Sequence, residues 1–112
     1  MSAYCFWDTR EVHDAEAMDD YVARVGETVA RYGGTYAVVG GPWQAKEGTW
    51  RPTYPVLIRF PSLAAANAWY DSRAYRELKA QRLRATTGDA IFMESVEEAT
   101  HLPLEASAEL AT

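Results

Sequence analysis

Two stretches of the chain, residues 3–41 and 54–96, carry the same succession of apolar strand, amphipathic helix and apolar strand. A doubled β-α-β pattern of this length restricts the fold more than any other feature of the sequence. The order β-α-β-β-α-β is the split βαβ, or ferredoxin-like, arrangement of the α+β class. Its sheet is antiparallel, and both helices cover one face. The opposite face is left open, and with strands this apolar a second copy of the chain is the economical cover.

The elements are set by local signals. Residues Ala3–Arg10 open with Tyr4-Cys5-Phe6-Trp7 and then turn polar, as a strand does on leaving a core. Asp14 is placed to cap a helix, with Glu16 favourable in its first turn. Met18, Tyr21, Val22, Val25, Val29 and Tyr32 recur at spacings of three and four, which gives one apolar helical face. Gly33-Gly34 ends that helix, Thr35–Val39 is a short strand, and Gly40-Gly41-Pro42 starts a connector to Pro52. A strand over Tyr54–Phe60 stops at Pro61, and Ser62 caps a second helix with a break at Asp71-Ser72. Beyond the break, Ala74, Tyr75, Leu78 and Leu83 continue the helical pattern. Thr87-Gly88-Asp89 is expected to turn the chain into a last strand, Ala90–Val96. Residues 1–96 form one domain, and 97–112 a tail, a frayed helix or an arm crossing the dimer.

Charge and cysteine content narrow the function. Eleven basic residues against sixteen acidic ones give a net charge of −5, unfavourable for binding phosphate backbones, so no nucleic-acid partner is expected. The start MSAYCFWDTREV lacks the basic and apolar regions of a signal peptide, and no apolar run is long enough to span a bilayer. A cytoplasmic protein without a membrane partner is expected. No Cys/His cluster has the spacing of a metal site, and no metal or cofactor is expected. The four Trp, seven Tyr and three Phe are many for one small domain, and must be shared among core, interface and ligand pocket.

The segments Tyr32-Gly33-Gly34-Thr35-Tyr36, Gly40-Gly41, Glu47-Gly48-Thr49-Trp50-Arg51-Pro52, Phe60-Pro61-Ser62, Ala68-Trp69-Tyr70-Asp71-Ser72 and Ala74-Tyr75 with Leu78 resemble the DUF1330 family of the dimeric α+β barrel superfamily. The resemblance covers about residues 3–96. It implies the ferredoxin-like fold and a homodimer, and carries no settled catalytic residue. The wider superfamily holds cofactor-free oxygenases, isomerases, haem-degrading enzymes and ligand-binding domains, with ligands in a cleft between the sheet and the surrounding helices or loops. This chain departs from the family pattern in three places, the first being Cys5-Phe6-Trp7 where members carry small β-branched residues. Ala37-Val38-Val39 stands where members carry an Arg before Gly-Gly, and Arg59 stands where they carry a Glu before Phe-Pro-Ser.

Among candidate residues, Arg59 is the most informative charge. Strand alternation sends Val56, Ile58 and Phe60 to the helices, and Leu57 and Arg59 to the barrel interior or dimer cleft. A buried guanidinium there requires an anion: Asp8, Glu94 or a ligand carboxylate. Asp8 is a candidate general base or, alternatively, the structural partner of Arg59. His13, beside Asp14, is a candidate proton carrier or a plain surface histidine. Phe6 and Trp7 point to opposite faces, so one of them meets the cleft. Trp43 and Trp50 are candidates for a pocket rim or dimer contact, and Tyr36 and Tyr54 for donors to a polarised oxygen. Cys5 reads as a small buried hydrophobe. Tyr21, Tyr32, Trp69 and Tyr75 read as helix packing, and Arg76, Lys79, Arg82 and Arg84 as a solvated helix face. The resulting reading is a small cofactor-independent enzyme, of isomerase, cyclase or dehydratase type, acting on an aromatic or polyketide-like molecule. In it Arg59 binds an oxygen, and Asp8 or His13 moves a proton. The alternative is a small-molecule-binding or structural homodimer without catalysis.

Overall fold

The computed structural model describes residues 1–96, so the expected tail at 97–112, and His101 with it, lie outside the described residues. The chain runs β1 (Ala3–Val12), α1 (Ala15–Arg31), β2 (Thr35–Val39), β3 (Pro55–Phe60), α2 (Leu63–Tyr70), α3 (Arg73–Ala85) and β4 (Thr86–Glu94). The sheet is antiparallel in the order β2-β3-β1-β4, which is the ferredoxin-like arrangement. The second helix of the expected pattern is two helices. Ser72 separates them by capping α3, its hydroxyl accepting from the Tyr75 amide at 3.1 Å and donating to the Trp69 carbonyl at 2.7 Å.

Helix α1 begins where Asp14 accepts from the Ala17 amide, and ends before Gly33, whose φ of 80° needs a residue without Cβ. The last strand differs from expectation. Thr87-Gly88-Asp89 is part of β4, not a turn, because β1 runs on to Val12 and supplies ladder partners for it. Gly88 permits this close pairing. A Cβ there would sit 2.3 Å from the Asp8 carbonyl oxygen, beside a bulge between Thr9 and Glu11.

Ala3, Cys5 and Trp7 of β1 and Ile58 and Phe60 of β3 are buried beneath the helices. Trp69 is the hub of that core. It stacks on Tyr75 at 4.1 Å, lies 5.4 Å from Phe60 and 5.8 Å from Trp7, and donates its indole hydrogen to Thr28 at 3.0 Å. Burial pushes the Cys5 thiol up to about 12, in keeping with an inert core residue. Helix α1 packs chiefly on α3 and stands off the sheet. The other sheet face carries Tyr4, Phe6 and Leu57 half-buried, with Val38, Ile91 and Met93 exposed.

Candidate functional site

The gap between α1 and the sheet is a cavity of about 250 Å³. Trp7, Thr9, Val56 and Ile58 form its sheet wall. Tyr36, Val39 and Tyr54 line it from β2 and the approach to β3. Helix α1 closes the other side with Met18, Tyr21, Val22, Val25 and Gly26, while Trp69 and Arg82 complete it from α2 and α3. Gly26 matters by what it lacks. A Cβ there would meet nothing within 4 Å, so the helix has been thinned where it faces the cavity. A mid-helix glycine costs about 1 kcal/mol relative to alanine.

The polar groups of this cavity are concentrated at Arg82. The residue is buried, at 9% exposure. Arg82 Nε donates to the Tyr75 hydroxyl at 3.2 Å, and the Tyr75 and Tyr21 hydroxyls are 2.7 Å apart. Burial, and next the neighbouring Tyr75, raise the Tyr21 phenol far above its ordinary range. Burial, with a smaller contribution from Tyr75, pushes Tyr36 up to about 12. Burial pulls the Arg82 guanidinium down, but Tyr75, Tyr21 and Tyr70 more than offset this and leave it raised. Near neutral pH the site therefore presents one cation, with the Tyr21 and Tyr36 phenols neutral. No carboxylate or imidazole is among the lining residues.

Of the residues singled out from sequence, Trp7, Tyr36 and Tyr54 meet at this cavity. Phe6 does not. It lies on the opposite face of the sheet, edge-on to Trp50 at 5.8 Å. Asp8 is buried on that side by the connector. Its Oδ1 accepts from the Thr53 and Tyr54 amides at 2.9 and 3.0 Å, and its Oδ2 from Trp50 Nε1 at 3.3 Å. Those three donors make Asp8 the clasp of the connector. Trp43 is 40% exposed and stands away from the cavity lining.

Arg59 lies, as alternation requires, on the open side of the sheet. It is exposed in the single chain, beside Tyr4 in a groove with Met1, Ser2, Pro61, Ser95 and Val96. Asp8 cannot reach it, because Arg59 pairs with Tyr4 and Asp8 with Pro55. The two positions are four residue steps apart along the strands, about 13 Å at 3.3 Å per residue. Glu94 pairs with Ala3, so alternation sends it to the other face. His13 is exposed at the far end of β1, with Nε2 2.6 Å from the Thr87 hydroxyl. Asp8, Arg59 and His13 thus occupy three separate places, and no shared proton-transfer site forms among them.

The residue that reasoning from sequence passed over is Arg82. It is not part of a solvated face. Tyr75, Leu78, Arg82 and Ala85 are the buried residues of α3, at spacings of three and four, while Leu83 is 57% exposed. That spacing was the available signal, but the charge type outweighed it. Among the described residues no group of three or more His, Cys, Asp or Glu could hold a metal ion, and no helix is long and apolar enough to cross a membrane.

Residues 2–96 match the model of DUF1330, a domain of unknown function. Comparison with curated proteins gives no match. Among solved structures, a protein of unknown function from Rhodopseudomonas palustris is similar at 19% identity and a TM-score of 0.67, covering 86% of this chain and 83% of its own. A dimeric ferredoxin-like protein of unknown function from Jannaschia sp. CCS1 is 16% identical, with a TM-score of 0.64 and coverage of 85% and 100%. SnoaB from Streptomyces nogalater, a cofactor-independent oxygenase, is 8% identical, with a TM-score of 0.54 and coverage of 89% and 96%. At these identities the likeness is one of fold.

Proposed function

This chain belongs to the DUF1330 family, and from that premise we propose that it is a homodimer that takes an aromatic or polyketide-like small molecule into the cavity between α1 and the sheet, for chemistry that needs no cofactor. The observation that carries this reading is the cavity itself, walled by Trp7, Tyr36, Tyr54 and Trp69 and widened by Gly26. An apolar cavity of about 150 Å³ accepts a benzene ring, so about 250 Å³ suits a molecule of one or two rings. The cofactor-independent oxygenase among its structural neighbours supports the kind of chemistry. Hydroxyls of Tyr21, Tyr36 and Tyr54 and the Arg82 cation are the groups such chemistry would use, by steadying an oxygen on which charge develops.

Pairing through the open sheet face is supported by the exposure of Val38, Ile91 and Met93 there and by a dimeric neighbour of the same fold. A second reading, a binder without turnover, is favoured by one observation: the lining residues include no carboxylate or imidazole to carry a proton.

Gly26→Leu tests the site. The helix gains propensity, and the side chain enters open space inside the cavity. The variant should fold, and should lose binding of hydroxynaphthoquinone- and anthrone-type probes that wild type binds. Unaltered binding in Gly26→Leu would remove the cavity from consideration. Recovery of every bound probe unchanged, in air and under nitrogen, would decide for the binder over the enzyme.

A further inference from the structure

Arg82 poses a problem that the apolar cavity does not explain. The charge of a residue only 9% exposed is costly unless an anion neutralises it. Among the described residues it has no ion pair. Three carboxylates on the elements that adjoin α3 are otherwise engaged. Asp20, on α1, takes Arg24 at 2.6 Å and the Gln81 amide at 2.9 Å. Asp71 lies 3.8 Å from Lys79, and Asp89 is paired with Arg10. The cation–π contact of this region is also made by Lys79, over Tyr70 at 4.2 Å, and not by Arg82. Among the described residues the side-chain contact holding Arg82 is the Nε–Tyr75 hydrogen bond, which fixes the guanidinium plane and leaves the paired Nη donors without a protein acceptor there. A second donor lining the cavity is also unmet: Trp7 Nε1 is buried without a hydrogen-bond partner among the described residues, whereas the Trp69 indole is satisfied by Thr28.

We infer that Arg82, held by the Tyr75–Tyr21 hydroxyl pair, is an anion-recognition subsite, and that the ligand of the cavity is a planar apolar molecule bearing one carboxylate. The inference rests on the cavity being the ligand site and adds the charge its occupant carries. The planar fork of Arg matches a carboxylate with two parallel hydrogen bonds. The aromatic walls receive the rest of the molecule, and Tyr75, hydrogen-bonded to both Arg82 and Tyr21, keeps the fork from rotating. The Tyr21 phenol, held well above its ordinary range by burial, adds no competing negative charge. The net charge of −5 makes such a site selective: an acid is repelled by the surface at large and accepted at one buried cation.

The test compares 2-naphthoate with 2-naphthamide, of the same shape but uncharged, by calorimetric titration of the full chain near pH 7. Wild type should bind the carboxylate roughly 10- to 100-fold more tightly, the range of a charge-assisted hydrogen bond. Arg82→Met should erase that preference while keeping naphthamide binding, and should melt no lower than wild type, because a buried unpaired charge has been removed. Tyr75→Phe should reduce the preference without abolishing it. Equal binding of the two probes by wild type would overturn the anion subsite and leave the cavity reading intact. Binding of neither would overturn both. A large loss of stability in Arg82→Met, with the carboxylate preference retained in that uncharged variant, would assign Arg82 to the core instead. The wild-type comparison alone decides the matter if the variants do not fold.

Discussion

Replacing Asp8 should unlatch the connector rather than stop a reaction. The side chain is 4% exposed and accepts three hydrogen bonds. The two backbone bonds, at 2.9 and 3.0 Å, join β1 to the residues that lead into β3. A net hydrogen bond contributes about 1 kcal/mol, and one to a charged acceptor about 1.5–3 kcal/mol. Thr53, Tyr54 and Trp50 are themselves exposed, so their freed donors can turn to water, and the lower end applies. Two amide bonds at about 1.5 kcal/mol and the longer Trp50 bond at about 0.5 kcal/mol give a loss of about 3.5 kcal/mol for Asp8→Ala. At 4–8 °C per kcal/mol for a domain of this size, the melting temperature should fall by roughly 14–28 °C. Asp8→Asn keeps one acceptor oxygen for the two amides and loses the charge and the Trp50 contact, so about 1 kcal/mol is expected. Urea titration at fixed protomer concentration gives both numbers, provided the slope is unchanged. Trp50 adds a local readout, because its release from Phe6 and Asp8 should shift indole emission to the red. An Asp8→Ala midpoint within about 0.5 kcal/mol of wild type would refute the clasp. Asp8→Asn that keeps full stability and abolishes a measured turnover would restore the proton-transfer role.

Gly88→Ala places a methyl group 2.3 Å from the Asp8 carbonyl oxygen and 3.0 Å from Thr9 Cα, both backbone atoms. It should cost about 2–3 kcal/mol in urea titration, at the upper end of overpacking costs. Ile91→Lys puts a charge beside Phe6 on the open sheet face, where Ile91 is 54% exposed in the single chain. Light scattering after size exclusion should show half the wild-type mass, with the cavity and its ligand binding retained. Alkaline pH should destabilise the fold. Burial raises Cys5 from 9.0 and Tyr36 from 10.0, each to about 12, so the unfolded chain releases these protons first. Stability is full below pH 9 and declines as pH rises from 9 to 12. A denaturation midpoint flat across that interval, or a Cys5 thiol that reacts with a disulfide reagent without unfolding at pH 8, would contradict this.

Most of the fold was legible because its determinants are local. The Asp14 and Ser62 caps, the Gly33 stop and the period of α1 each depend on neighbours within four residues, and the structure has them as expected. The β4 boundary was misread because Thr87-Gly88-Asp89 resembles a turn, while the ladder partners that make it a strand lie some 80 residues away in β1. The site was less legible. Alternation correctly divided Val56, Ile58 and Phe60 from Leu57 and Arg59. It could not say which side of the sheet held the cavity, since that depends on how far α1 stands off.

The sequence by itself determined the topology, the helix limits and the two faces of each strand, because those follow from periodicity and from single residues acting on adjacent backbone. Only the tertiary structure decided which charge is buried. Arg59 sits in an apolar strand and Arg82 in a basic stretch of helix. Yet the first ends on the open sheet face, and the second between α1, α3 and the sheet wall. The free energy of a charge depends on the volume that surrounds it and on the partners that volume admits. That surrounding is assembled from every element of the fold, so a pattern within one segment cannot contain it.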